Sequence, residues 1–439
     1  MSALSDALGR LVAGYYNSNP INAITNPGGL GNDGHEVNFP AALVDYALVV
    51  QYLAAINGND LVALSAALAS KAGNNVFTGA NDFTSSAMTV ATQAMEDSST
   101  KAVSTSLLHK LMPRGHIDGL TLSTAGGSTS ITVAPGQCVD SLGNVMISQA
   151  AALTKTTNGW APGPGNGGLD QGALANSTWY HFYKIRRPDT GVDDVIFSQA
   201  PDVAGAATMT IATPCIVTKI MHGLEPGAPV VFTTTGALPT GLTAGVVYYV
   251  KTVPTVDTYQ LAATQGGAAI NTSGTQSGTH TATSTPLLPA NYTQRRLIMS
   301  WRTDGAGKWV KGVQRGDDFV YDASPADLSN ITLPTSNRSP YTVSVPPGVA
   351  VMGKFRVSSL NTVASAANFA VTSLDESDQA VGTGFADGVL RNGSGAGGQA
   401  VNVQVRTTPS AQIGVRGDVG STSIWVNTYG FIHPRGRNN

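Results

Sequence analysis

The 439-residue chain has little charge and little cysteine, and both shortages exclude classes of protein. Charged residues make up 12% of the sequence, against about 25% in an average globular protein. With a net charge of −2 the chain offers no broad cationic surface for a polyanion, so we expect no nucleic-acid partner. Its two cysteines, Cys138 and Cys215, are too few for a disulfide framework or a zinc knuckle.

Long apolar runs are also lacking. The best candidate, from Ala41 to Ile56, contains Asp45 and Gln51 and is too short to cross a bilayer. The first residues show no basic stretch ahead of an apolar run, as a secretory signal would. We therefore expect no membrane insertion and synthesis in a reducing cytoplasm.

Patterns typical of catalysis or metal binding are few and weak. The stretch Gly163–Gly168 formally matches GxGxxG, but it contains a proline and opens no helix, so we interpret it as a flexible loop. The seven histidines show no ligand spacing. Adjacent carboxylates point to opposite faces of a strand, and a looser acidic group reads as a solvated loop. These acidic candidates are Asp193-Asp194, Asp317-Asp318 and the group Asp375, Glu376, Asp378. We expect no enzyme activity, no catalytic residue, no cofactor and no metal.

The N-terminal part has helical periodicity. Leu4, Leu8 and Leu11 form one apolar stripe, and Asn38 with Pro40 predicts the start of a second helix. A third segment carries Leu61, Leu64 and Leu68 at the spacing of a short coiled coil, which makes them the candidate oligomerisation seam. The alternative for these leucines is an intramolecular helical hairpin.

From about Gly119 the apolar period changes to two, which predicts strands. Asp189-Thr190-Gly191 and Pro346-Pro347-Gly348 each indicate a tight hairpin. The predicted fold class is mainly β: an N-terminal helical anchor and a trimeric stalk, then β-sandwich or jelly-roll-like domains, one of them carrying an inserted small β module. The predicted segments are an attachment segment 1–38, a helical or coiled-coil segment 39–73, a thin trimeric stalk 74–115, a split β domain 116–205 and 285–322, the inserted module 206–284, and a C-terminal β-sandwich 323–439.

Aromatic side chains are the candidate contact groups. Tyr248 and Tyr249 are neighbours in one predicted strand, so in a single-layer module at least one faces outward and is available to stack on a sugar ring. The alternative is core packing for one and an ordinary surface position for the other. Trp425 and Tyr429 share one face of the last strand, where we expect core or subunit interface.

Several motifs resemble those of bacteriophage tail fibres. Thr92-Gln93-Ala94 followed by Asp97–Ala102 resembles a short stalk motif of such fibres, although Ser98 departs from its pattern. The block containing His222-Gly223-Leu224 is similar to a β module that recurs in phage fibre proteins. Further stretches that resemble the β domain of phage tail proteins are Gly119–Ser123, Ser128–Gly136, Gly168–Leu174 and Trp179–His181. Together the resemblance covers roughly residues 77–437.

The resemblance implies a homotrimeric virion fibre or spike that is made in the host cytoplasm. Its N-terminal segment would bind phage tail or adaptor and portal-region proteins, and the rest would adhere to a host surface glycan or receptor. Two alternatives remain: a purely structural tail or neck component, and a polysaccharide depolymerase tailspike. A depolymerase predicts a long repetitive β-helix, and no such repeat is visible in the sequence.

Overall fold

The computed structural model describes residues 2–13, 17–20, 26–27, 29–31, 34–55, 113–361, 367–382, 390–392, 397–420 and 422–437. Within these residues the chain forms two helices near the N-terminus and 28 strands, so the prediction of a mainly β protein is confirmed. The chain divides into two compact units, Met1–Thr89 and Val90–Asn439. The predicted seam Leu61, Leu64 and Leu68 and most of the stalk segment 74–115 lie outside the described residues.

The first unit contains two helices and a short parallel strand pair. Its elements are α1 (Ser2–Val12), β1 (Asn17–Pro20), β2 (Gly29–Gly31) and α2 (Gly34–Ala55). The boundary drawn at residue 38 is wrong, because α2 begins at Gly34 and Pro40 lies inside it. A proline near a helix start removes one backbone hydrogen bond, and the preceding Glu36 and Val37 are compatible with a helix, so the helix extends beyond the capping signal.

A partly buried ion pair joins the two helices. The Arg10 guanidinium donates to both carboxylate oxygens of Asp45, each at 2.6 Å, and Asp45 is only 5% exposed while Arg10 is partly open to solvent. At about 100° per residue, Leu43 and Val50 lie on the side of α2 opposite Asp45, and Tyr46 lies beside that face. These three apolar side chains are each more than half exposed in the single chain (55%, 64% and 53%).

The second unit begins with nine strands that form a three-stranded sheet and most of a seven-stranded sheet. They are β3 (Ile117–Gly119), β4 (Leu122–Ser123), β5 (Ser130–Val133), β6 (Gly136–Val139), β7 (Met146–Gln149), β8 (Leu153–Gly159), β9 (Gly167–Leu169), β10 (Trp179–Arg186) and β11 (Asp193–Ser198). The hairpin predicted at Asp189–Gly191 is confirmed, since β10 and β11 pair antiparallel around it.

The next six strands close into a barrel with its own apolar core. They are β12 (Val203–Met209), β13 (Ile216–Thr218), β14 (Pro229–Thr234), β15 (Val247–Thr255), β16 (Thr258–Ala262) and β17 (His280–Ser284). The barrel lies in the chain between β11 and β18 (Gln294–Arg302), and both of these strands pair with β10. The boundary predicted at residue 206 falls inside β12, so the barrel begins three residues earlier.

The last ten strands form a six-stranded and a four-stranded sheet. They are β19 (Gly312–Arg315), β20 (Asp318–Tyr321), β21 (Ala326–Thr332), β22 (Ser339–Thr342), β23 (Met352–Asn361), β24 (Ala367–Thr372), β25 (Leu390–Asn392), β26 (Gly397–Arg406), β27 (Gln412–Gly417) and β28 (Thr422–Ile432). The hairpin predicted at Pro346–Gly348 is wrong: β22 and β23 belong to different sheets, so the chain crosses between sheets at this point.

The boundary drawn at residue 322 separates strands that the structure joins. β19 and β20 pair with each other, and β20 pairs with β28, so residues 312–321 belong to the C-terminal sheet. One hydrophobic core runs through both regions, and Trp179 of β10 packs edge-on against Phe431 of β28 with ring centroids 5.8 Å apart. Among the described residues, no helix is both long enough and apolar enough to span a membrane.

Candidate functional site

The structure places Tyr248 and Tyr249 on opposite sides of the barrel wall. Tyr248 points inward, is 6% exposed, and accepts a hydrogen bond from the Thr243 backbone N–H at 2.8 Å. Tyr249 is half-buried on the outside, and its hydroxyl donates to Oε1 of Gln171 at 2.5 Å. The expectation that at least one of the two faces outward is met by Tyr249, and Tyr248 takes the core position of the alternative, because a closed barrel gives every strand an inner and an outer face. Tyr248 is thereby removed from the surface, and the Tyr249 hydroxyl is already paired.

Six of the seven acidic candidates form ion pairs, and the seventh, Glu376, is exposed. Asp194 meets Lys155 at 2.8 Å with both side chains fully buried, and Asp193 meets Arg186 at 3.1 Å on the other face. The opposite orientation of these two neighbours is therefore confirmed. The remaining pairs are Asp317 with Arg437, Asp318 with Lys354, Asp375 with Arg406 and Asp378 with Arg416. Each carboxylate holds two parts of the fold together.

The loop Gly163–Gly168 is anchored by the buried Lys155–Asp194 pair. The Lys155 ammonium donates to the carbonyl oxygens of Ala161 (2.8 Å) and Gly163 (3.0 Å), while Asp194 accepts from the Gly163 backbone N–H at 3.0 Å. The interpretation of a flexible loop is wrong, because three hydrogen bonds to buried charges fix its backbone. The loop leads into β9 rather than into a helix, which agrees with the exclusion of a nucleotide site.

Two histidines and a serine form a chain of hydrogen bonds inside the core. Ser300 Oγ lies 2.8 Å from His181 Nδ1 and 2.9 Å from His433 Nε2, while the Arg435 backbone N–H donates to His433 Nδ1. Nδ1 of neutral His433 is therefore an acceptor, so its Nε2 donates to Ser300, and the Ser300 hydroxyl donates to His181.

Burial keeps both of these imidazoles neutral. It lowers the pKa of His181 to about 3 and holds the pKa of His433 well below its ordinary value. His181, Ser300 and His433 are each at most 1% exposed, so no substrate reaches them. Across the part of the chain that the structure describes, no group of three or more His, Cys, Asp and Glu side chains is suited to a metal ion.

The outer face of β28 carries aromatic and amide side chains that are partly exposed and could contact a ligand. Burial alternates along this strand, with Ile424 and Val426 fully buried and Trp425, Asn427 and Tyr429 partly exposed. The prediction that Trp425 and Tyr429 share a face is confirmed, but this face points away from the chain's own core. Trp425 and Tyr429 were expected to lie in the core or in a subunit interface, and the prediction that they pack in the chain's own core is wrong.

Neighbouring strands extend this face with small and polar side chains. Arg356 and Ser358 of β23 lie opposite Asn427 and Trp425, and β26 places Asn402 opposite Arg356 and Ala400 opposite Ser358. The Arg356 guanidinium stacks on the Tyr429 ring, 5.1 Å from its centroid. We call these residues the outer strip: Arg356, Ser358, Ala400, Asn402, Trp425, Asn427 and Tyr429. It measures about 13 Å along the strand and about 10 Å across three strands.

Only part of the outer strip could be predicted from the sequence. The spacing of Trp425 and Tyr429 was readable as a shared strand face, but Arg356 and Asn402 reach it through strand pairings over dozens of residues. Period-two alternation tells which residues share a face, whereas it does not tell which strands are neighbours.

No family model matches this chain, and no curated protein matches it either. A chain from the solved structure of the infectious bursal disease virus Gx strain aligns with 72% of this chain and 72% of its own length, at 11% sequence identity and a TM-score of 0.17. A likeness at so low a TM-score carries no argument about fold or function.

Proposed function

We propose that the protein is a bacteriophage virion fibre or spike that acts as a homotrimer and adheres to a glycan on the host cell surface. Its N-terminal segment attaches it to phage tail or adaptor and portal-region proteins, residues 74–115 form a trimeric stalk, and the C-terminal sheets form a β-sandwich. The protein is made in the host cytoplasm and resides in the virion. The outer strip is the observation that supports adhesion best.

The chemistry of the outer strip suits a neutral glycan. A partly exposed indole offers a flat apolar surface for a sugar ring, and Asn427, Asn402 and Ser358 place amides and a hydroxyl around it. These groups both donate and accept hydrogen bonds, as sugar hydroxyls do. The Arg356 guanidinium lies over the Tyr429 ring and also donates to the Ser324 hydroxyl at 3.2 Å, and these two contacts hold it in place as a donor at the edge of the strip.

The first unit supports self-association. Leu43 and Val50, on the side of α2 opposite the Arg10–Asp45 ion pair that joins α1, form an exposed apolar face with the adjacent Tyr46. An isolated helix of this kind is marginally stable in water, and burial of such a face against two further copies of α2 would stabilise it. Three copies would then combine weak glycan contacts into strong binding through avidity.

The proposal is tested by binding of the full-length protein to a panel of bacterial cells, with its mass measured by light scattering. We expect a trimeric mass and binding that falls about tenfold or more in Trp425→Ala, because one stacking contact is lost in every copy. Leu142→Ala is the matched control, since Leu142 is an apolar side chain 66% exposed in the β6–β7 loop. We expect this control to bind as the unchanged protein does.

Three results would contradict the proposal. A monomeric mass removes the trimer, and absence of binding to every cell type favours a purely structural tail component. If Trp425→Ala lowers the oligomeric mass instead of the affinity, the outer strip is a subunit interface and not the glycan surface.

A further inference from the structure

A cavity of about 350 Å³ lies where the barrel, the strand pair β10 and β18, and the C-terminal sheets converge. Glu225 enters it from the barrel, Trp179 and Arg302 from a directly opposed pair on β10 and β18, and Asp327 and Ser410 from the C-terminal part. We call it the Glu225 cleft. Its volume is at the lower end of the range for small-ligand sites.

The polar groups of the cleft are held in fixed positions. Glu225 Oε2 accepts the backbone N–H of Trp179 at 2.9 Å, and Asp327 Oδ1 accepts that of Ser344 at 3.0 Å. The other oxygen of Asp327 accepts a hydrogen bond from the Thr428 hydroxyl. Such bonds lock the rotamers of both acids before a ligand arrives, which lowers the entropic cost of binding.

The backbone around Gly223 places Glu225 in the cleft. Gly223 adopts a positive φ of 57°, and a Cβ at this position would lie 2.3 Å from the Gly348 nitrogen and 2.4 Å from the Pro409 carbonyl oxygen. Only glycine allows the barrel to approach the C-terminal region so closely. The next residue is fixed as well, because the Leu224 N–H donates to His222 Nδ1 at 2.9 Å.

The cleft contains groups of both charge signs and one unsatisfied hydroxyl. Arg302 can only donate hydrogen bonds, whereas ionised Asp327 can only accept them. Burial raises the pKa of Glu225 to about 7 against the effects of the Trp179 N–H and of Arg302, so this carboxyl both donates and accepts near neutral pH. Ser410, which also lines the cleft, has a buried hydroxyl without a hydrogen-bond partner.

We propose that the Glu225 cleft binds one neutral sugar unit. The cleft places the donor Arg302 beside the acceptor Asp327 and the carboxyl Glu225, and each hydroxyl of a sugar can bond to any of the three because it is both donor and acceptor. This inference rests on the proposed adhesion function and adds a second, concave glycan subsite that the outer strip does not include.

The test titrates the full-length protein with neutral methyl glycosides of glucose, galactose and rhamnose, followed by ligand-observed NMR. Glucuronate and glucosamine serve as charged probes. We expect at least one neutral glycoside to bind more tightly than both charged probes. Glu225→Leu should weaken that binding about tenfold or more, because hydrogen bonds to a buried polar group are lost.

Two further variants keep the test independent of folding. Glu225→Gln retains an acceptor for Trp179 and should bind within about threefold of the unchanged protein, while the surface control Glu376→Leu should bind equally well. Ala326→Phe narrows the cleft from its exposed rim and should abolish glycoside binding. Ala326 also lies opposite Asn427 of the outer strip, so only adhesion that persists in this variant separates the cleft from the strip.

The inference is overturned if no neutral glycoside binds, if a charged probe binds more tightly, or if Ala326→Phe binds like the unchanged protein. These results are separable from a failure of the proposed function. Cell adhesion that persists in Ala326→Phe and is lost in Trp425→Ala would remove the cleft alone.

Discussion

Acid should destabilise the second unit through the buried chain His181–Ser300–His433. The folded protein holds His181 neutral with a pKa of about 3, while the same imidazole in the unfolded chain takes up a proton near its ordinary pKa of 6.5. Because the folded-state pKa is the lower one, the stabilisation is fully present above pH 6.5. It is lost progressively as the pH falls towards 3.

The size of the loss follows from the pKa difference. Each pH unit below 6.5 costs about 1.4 kcal/mol of unfolding free energy, so His181 alone costs about 3 kcal/mol at pH 4.5. His433, whose pKa is also lowered by burial and by neighbouring cationic groups, adds a cost of the same sign. A loss of this size is a large share of the unfolding free energy of a typical folded domain, which is about 5–15 kcal/mol.

Two buried carboxyls act in the opposite direction and must be separated in the experiment. Burial raises the pKa of Glu225 to about 7 and that of Asp170 to about 6. Their contribution to the unfolding free energy is therefore fully present at low pH and is lost as the pH rises towards these values. A simple pH profile of the unchanged protein therefore mixes opposing slopes. Only the difference between a variant and the unchanged protein isolates the histidine.

The assay is denaturant unfolding at pH 7 and pH 4.5, at one fixed protein concentration because the proposed trimer makes stability concentration-dependent. His181→Gln should be less stable than the unchanged protein at pH 7, since Ser300 loses its acceptor. Its further loss on going to pH 4.5 should be smaller by about 2–3 kcal/mol. The control is His116→Gln. It alters a half-buried histidine that does not belong to the His181–Ser300–His433 hydrogen bonds, so the difference between His181→Gln and the unchanged protein should not appear in it. An equal acid loss in His181→Gln and the unchanged protein would refute the reasoning.

Two other perturbations test the remaining parts of the structure. Lys155→Met leaves Asp194 buried without its counter-ion and should lower the unfolding free energy by about 3–5 kcal/mol. The control Lys311→Met breaks an exposed pair with Asp322 and should lower it by less than about 1 kcal/mol. Equal losses of the two variants in denaturant unfolding would contradict this reasoning. Replacement of Leu61, Leu64 and Leu68 by Ser should lower the mass in light scattering while the β unit keeps its melting curve; an unchanged mass means that these leucines are not the seam.

The sequence predicted local structure well and long-range pairing poorly. The hairpin predicted at Asp189–Gly191 joins β10 to β11, because a tight-turn signal between two strand-forming runs pairs the strands that flank it. Pro346–Gly348 was read as a hairpin for the same local reason, yet the two flanking strands join different sheets. A turn signal indicates where a strand ends. It does not indicate which strand pairs with it, because β22 and β23 are each buried against strands from distant parts of the sequence.

The candidate sites show the same limit. Trp425 and Tyr429 were visible as one strand face, whereas Glu225 carries no signal, since it is an isolated acid in a loop with no motif around its carboxyl. Its role emerges only when Trp179, Arg302 and Asp327 come together from three separate segments.

The structure gives His222, Gly223 and Leu224 a role in positioning the residue that follows them. Gly223 touches the backbone of Gly348, His222 fixes the Leu224 amide, and Leu224 is buried in the barrel core. None of the three lines the Glu225 cleft, so they act as positioning residues for Glu225. A side chain at Gly223 would push the barrel away from the C-terminal region and move the Glu225 carboxyl out of the cleft without any change in the chemistry of its lining.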